Sequence, residues 1–95
     1  MDKKDAYVKK MKAQLDEWSA DIDKLQAKAE KAEAGLQLEY QDQMEKVRSL
    51  RTAARQKLTQ LKEAGGEAWK EFKTGVETAR DELENALTKA QKQIQ

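Results

Sequence analysis

The chain has 95 residues, of which 39% are charged and 38% hydrophobic, and its formal net charge at pH 7 is +1. It contains no cysteine and no histidine, which excludes disulfides, thiolate metal sites, cysteine nucleophiles and histidine general bases. A charge so near zero creates no overall field that would recruit nucleic acid or an anionic membrane. The length fits one small domain.

The sequence shows no targeting or membrane-spanning segment. Its beginning, MDKKDAYVKKMKAQL, lacks the continuous apolar stretch of a signal peptide. No other stretch approaches the roughly 20 apolar residues that cross a membrane. We therefore expect a soluble, cytoplasmic protein.

Apolar residues recur at steps of three and four along the first third of the chain. This alternation is the a/d pattern of a coiled coil. Beyond Leu36 the pattern slips through Tyr40 and Met44 by steps of four, which locally unwinds a supercoil. The stripe before the slip consists of Val8, Met11, Leu15, Trp18, Ile22, Leu25, Ala29, Ala32 and Leu36.

The strongest helix terminator in the chain, which has no proline, is the pair Gly65 and Gly66. We predict one all-α, coiled-coil domain over residues 1–95. Its long first helix covers about residues 3–63, and a turn at 64–66 leads into a shorter second helix at about 67–93. The second helix folds back antiparallel on the first as a hairpin. The predicted hairpin core is Leu58, Leu61, Trp69, Phe72, Val76 and Leu83.

The shorter helix covers only the second half of the longer one, so the apolar stripe of the first half needs a partner. Either the chain bends at Gly35 into a monomeric three-helix bundle, or the long helix pairs with a second copy as an elongated antiparallel dimer. The segment EAGLQLEY around Gly35 lacks the Gly-Gly or proline of a true break, which favours the dimer. The predicted dimer interface is Val8, Met11, Leu15, Trp18, Ile22, Leu25, Leu36 and Tyr40.

Charged residues are segregated along the chain. All charged residues of segment 46–62 are basic, whereas segments 16–23 and 67–84 are acidic overall. Antiparallel pairing about Gly35 places Asp16 near Arg55. Exposed pairs of this kind contribute about 0.2–1 kcal/mol each and select the register more than they stabilise it.

The stretch AGGEAWKEFKTGVETARDELENAL resembles the C-terminal signature of a family of small bacterial coiled-coil proteins named for a stress-response member. Upstream, KAEAGLQLEY is similar to the same family, whereas Arg80 stands where many members carry tryptophan. The resemblance implies a helical, non-enzymatic, stress-associated protein and brings no catalytic residues. The matching positions are Gly65, Gly66, Ala68, Trp69, Phe72, Lys73, Gly75, Val76, Glu77, Ala79 and Leu83.

We expect a non-enzymatic self-association or scaffold protein that forms a homodimer, binds no cofactor and has no nucleic-acid partner. A further, unidentified protein partner stays open. The alternative is an amphipathic-helix protein of a lipid or storage-granule surface. It is disfavoured because segment 67–84 is net acidic, whereas such helices carry Lys and Arg. The carboxylates of segment 16–23 have no histidine to complete a helical metal site, so we expect none.

Overall fold

The computed structural model describes residues 2–94, which form three α-helices and no strand. Helix α1 spans Lys3–Glu30, α2 spans Ala34–Glu63 and α3 spans Trp69–Gln93. They lie side by side in a body of 52 × 19 × 17 Å. Helix α2 packs against both neighbours, and the contact between α1 and α3 is the smallest of the three.

The three helices begin in different ways. Asp2 caps α1, because its carboxylate accepts a hydrogen bond from the Asp5 backbone N–H at 2.8 Å. Glu33 and Ala68 precede α2 and α3 without a side-chain cap. Packing of apolar faces, more than capping, therefore fixes where α2 and α3 begin.

Every buried residue within 2–94 is apolar, and all three helices contribute to one cluster. This burial is the main source of stability, at about 1.5–3 kcal/mol for each large side chain removed from water. The cluster consists of Met11, Leu15, Ile22, Leu25, Ala29, Met44, Val47, Ala54, Leu58, Leu61, Trp69, Val76, Ala79, Leu83, Leu87, Ala90 and Ile94.

The prediction of a continuous helix over about 3–63 is wrong, because residues 31–33 separate α1 from α2. The bend precedes Gly35, the position that the alternative assigned to it, and Gly35 lies in the first turn of α2. Bending removes a few helical hydrogen bonds, each worth about 0.5–1.5 kcal/mol net. It buries the apolar stripe of α1 within the same chain, and this gain is larger.

The Gly65–Gly66 segment forms the second connection. The Ala68 N–H donates to the Gly65 carbonyl at 3.1 Å, and Gly66 has a φ of 56°. Helix α3 therefore starts at Trp69, slightly later than the predicted position near 67. Gly66 occupies a conformation that disfavours residues with a Cβ atom.

We expect Gly66→Ala to lower the free energy of unfolding by about 1–2 kcal/mol, the usual cost of a left-handed non-glycine residue. Gly65→Ala is the matched control, because Gly65 lacks a positive φ and an added Cβ there meets nothing within 4 Å. It should be neutral or stabilising by up to about 1 kcal/mol. Urea unfolding followed by circular dichroism measures both. Equal midpoints for the two variants would contradict the role of Gly66 in the turn.

Candidate functional site

Residues predicted for the dimer interface fall into two groups in the single chain. Four lie in the core shared by the helices, namely Met11, Leu15, Ile22 and Leu25. Val8, Trp18 and Tyr40 are half-buried against that core, and Leu36 is 41% exposed. The same chain thus covers most of the stripe for which the sequence required a partner.

Five of the six residues predicted for the hairpin core are buried, namely Leu58, Leu61, Trp69, Val76 and Leu83. Phe72 is the exception, since 40% of it is exposed. Trp69 and Val76, one turn before and one turn after Phe72, are 7% and 2% exposed, so the exposure is confined to this one position of the face. The helical period placed Phe72 near the apolar face but did not show how much of its ring the neighbouring helices cover.

Gln37 holds the bend between α1 and α2. Its side-chain amide donates to the Glu30 carbonyl at 3.1 Å and to the Ala32 carbonyl at 2.9 Å. These carbonyls lie where α1 ends and cannot continue the helical pattern. Sequence reasoning missed Gln37, because an exposed polar position in a helix carries no periodic signal.

Lys31 and Glu33, the first and last residues of the bend, have different backbone angles. Lys31 keeps helical angles (φ −90°, ψ −3°), and its N–H still bonds to the carbonyls of α1. Glu33 leaves the helical region, with φ −57° and ψ 147°. No residue between the two helices has a positive φ. Of these two residues, Lys31 therefore stays near-helical and Glu33 is extended.

Contacts between α1 and α2 are arranged around the bend. Arg55 forms an ion pair with Asp16 at 3.6 Å, which confirms their predicted proximity. Arg48 donates a hydrogen bond to Gln26. Along the sequence, the position halfway between the two partners falls at 35–37 for both pairs. Residues of α1 thus face residues of α2 about equally far from positions 35–37, which lie in the first turn of α2 just after the bend.

Tyr7 attaches the start of α1 to α3. Its hydroxyl donates to Glu77 at 3.4 Å, its ring centroid lies 5.9 Å from that of Trp69, and the Lys73 Nζ lies 5.3 Å from the ring centroid. Partial burial, followed by the negative charge of Glu77, raises the pKa of Tyr7 to about 12, although Arg80 opposes the shift. Tyr7 lies one position before the stripe, so periodicity alone did not select it.

Two hydrophobic residues near the bend are open to solvent. Leu36 is 41% exposed and Leu38 is 75% exposed. Gly35 precedes them, and a Cβ atom added there would meet no neighbouring atom within 4 Å. The end of the bundle that carries the bend is therefore partly apolar.

Residues 2–94 contain no group of three or more side chains placed to hold a metal ion. No helix in that range is long and apolar enough to cross a membrane. Comparison with protein-family models, curated proteins and solved structures finds no match. The family resemblance therefore stays a prediction, and the geometry of the bend is what bears on function.

The raised pKa of Tyr7 predicts a pH-dependent stability. Folding favours the neutral phenol, so its contribution is complete below pH 10.0, the usual pKa, and is lost as the pH rises towards about 12. The free energy of unfolding should therefore fall more between these pH values in the wild type than in Tyr7→Phe. Parallel pH-dependent slopes for the two proteins, measured by urea unfolding, would contradict the contact with Glu77.

Proposed function

We propose that the protein is a non-enzymatic self-association module that forms an antiparallel dimer by exchanging α1 between two chains. In this dimer residues 31–33 become helical, α1 and α2 join, and α1 of each chain packs on α2 of the other. The observation that carries the proposal is the symmetry of the α1–α2 contacts about positions 35–37. Because of it, two straightened chains can reproduce the same contacts around a two-fold axis.

The composition of residues 31–33, which link α1 to α2, supports the exchange of α1. Residues 31–33 are Lys, Ala and Glu, all compatible with a helix, and Glu33 has a non-helical ψ of 147°. Short hinges of this kind favour domain swapping. Straightening would add helical hydrogen bonds at 31–33 and remove the two bonds donated by Gln37.

The exposure of Leu36 near the bend supports the same antiparallel dimer. Leu36 is 41% exposed in the single chain and lies close to the centre of the contact symmetry. In the proposed dimer the two copies of Leu36 would face each other across the two-fold axis. Their burial would add apolar contact that the single chain lacks.

A lipid or granule surface is less well supported as the partner. The apolar face of α3, including Trp69, Val76 and Leu83, is buried in the bundle. Insertion into a membrane interface would require α3 to leave this core first. A structural or scaffold role, with the stress association that the resemblance implies, is therefore the function that we propose.

The proposed dimer is tested with variants that prevent or favour the straightening of residues 31–33. Ala34→Pro places proline at the first position of α2, where proline is favoured, and no hydrogen bond from the Ala34 N–H is lost. Glu33 already has the extended ψ that a following proline requires. In the straightened chain the same proline would lie in a helix interior, at a cost of about 3 kcal/mol. We expect Ala34→Pro to fold stably and to have the mass of one chain at all concentrations.

Gln37→Ala should shift the equilibrium from the bent single chain towards the proposed dimer, because it removes both hydrogen bonds that Gln37 donates at the bend. Gln41→Ala is the matched control on the same helix, since Gln41 is exposed. Light scattering coupled to size exclusion, over a wide concentration range, should show more two-chain species for Gln37→Ala than for the wild type or Gln41→Ala. A one-chain mass for all four proteins would overturn the proposal, and a dimeric Ala34→Pro would exclude exchange of α1.

A further inference from the structure

An open groove of about 360 Å³ runs between α1 and α2. No residue of α3 lines it, and its floor includes Leu15 and Leu58, which also belong to the core cluster. Its volume is at the lower end of the range of about 300–1,000 Å³ typical of small-molecule sites. The lining residues are Val8, Lys12, Leu15, Asp16, Arg55, Leu58, Thr59 and Lys62.

The groove combines an apolar floor with a charged rim. Val8, Leu15 and Leu58 supply the apolar surface, and Val8 is only partly covered by the core. From Val8 to Leu15 the helix advances about 10 Å, at about 1.5 Å per residue. An extended alkyl chain of roughly eight carbons matches this length, at about 1.3 Å per C–C bond along the chain.

The rim carries an excess of positive charge. Its single carboxylate, Asp16, is paired with Arg55 at 3.6 Å. Lys12 and Lys62 have no ion pair or side-chain hydrogen bond within residues 2–94. Two ammonium groups therefore remain available beside the apolar floor.

Lys4 adds to the positive charge near the groove, at the end of α2. Its ammonium donates to the Lys62 and Ala64 carbonyls, both at 3.1 Å. Carbonyls at a helix C-terminus otherwise carry a partial negative charge that repels anions. Lys4 offsets that charge where the groove meets the end of α2.

We infer that the α1–α2 groove binds a free anionic amphiphile with a single alkyl chain. The alkyl chain lies on Val8, Leu15 and Leu58, and the anionic headgroup contacts Lys12 and Lys62. Burial of methylene groups supplies most of the affinity, at about 0.8 kcal/mol for each one removed from water. The lysines select an anion over a neutral or cationic headgroup.

The test uses decanoate below its micellar concentration, with decyl maltoside and decyltrimethylammonium as neutral and cationic probes of the same chain length. Binding is followed by NMR shifts of the Val8, Leu15 and Leu58 methyl groups. We expect saturable shifts at these methyls with decanoate and at least tenfold weaker binding of the other two probes. Equal binding of all three probes, or no decanoate shifts, would overturn the inference.

The variant that tests the rim is Lys12→Glu/Lys62→Glu. Lys10→Glu/Lys46→Glu is the matched control, because it makes the same change in net charge at exposed positions outside this groove. Decanoate affinity should fall at least tenfold in the first variant and stay within twofold in the second. Equal losses would contradict a local role for the rim.

Two further measurements distinguish binding in the groove from binding elsewhere on the protein and from binding to a membrane surface. Thr59→Trp fills the groove from an exposed position and should abolish the methyl shifts while the circular dichroism spectrum stays helical. Flotation with anionic vesicles tests a membrane surface, and binding to vesicles without binding to monomeric decanoate would overturn the inference. The locked variant Ala34→Pro retains the groove in one chain, so it should bind decanoate whether or not the wild type dimerises.

Discussion

The apolar face of α1 must be covered, and the rest of the structure depends on how this is achieved. Met11, Leu15, Ile22 and Leu25 lie on that face, and exposure of all four would cost several kcal/mol in a domain of marginal stability. Helix α3 is too short to reach along a straight α1–α2 rod. A bend that returns α1 to the same bundle, or a second chain, is therefore required.

The same constraint would make α1 the element exchanged in the proposed dimer. Helix α2 packs against both neighbours, whereas the contact of α1 with α3 is small. Local attachments at the two ends of α1 supplement its contact with α2: Lys4 and Tyr7 act at the start, and Gln37 acts at the bend. All the contacts of α1 with α2 can be supplied by another copy in the same register. The balance between the single chain and the proposed dimer would then depend on residues 31–38, where the two would differ.

The sequence predicted the helical class, the turn at Gly65–Gly66 and most core positions, because these follow from periodicity and from strong helix terminators. It favoured a continuous helix, and its alternative placed the bend at Gly35 rather than at 31–33, because Lys31, Ala32 and Glu33 are ordinary helix-compatible residues. Tertiary burial outweighed local propensity at that point. The exposure of Phe72 was missed because it depends on the packing of the neighbouring helices, which the helical period does not give.

In the two proposals, ligand binding in the groove and exchange at the bend would be energetically independent, although both involve α1 and α2. The α1–α2 groove is lined by residues far from 31–33, and exchange of α1 would recreate the same lining from two chains. A ligand with equal affinity for two states shifts no equilibrium between them, however tightly it binds. An amphiphile in the groove should therefore stabilise both forms against unfolding and leave their ratio unchanged. Only a ligand that also reaches Leu36 or Gln37 would couple binding to assembly, because these residues change their surroundings between the two forms.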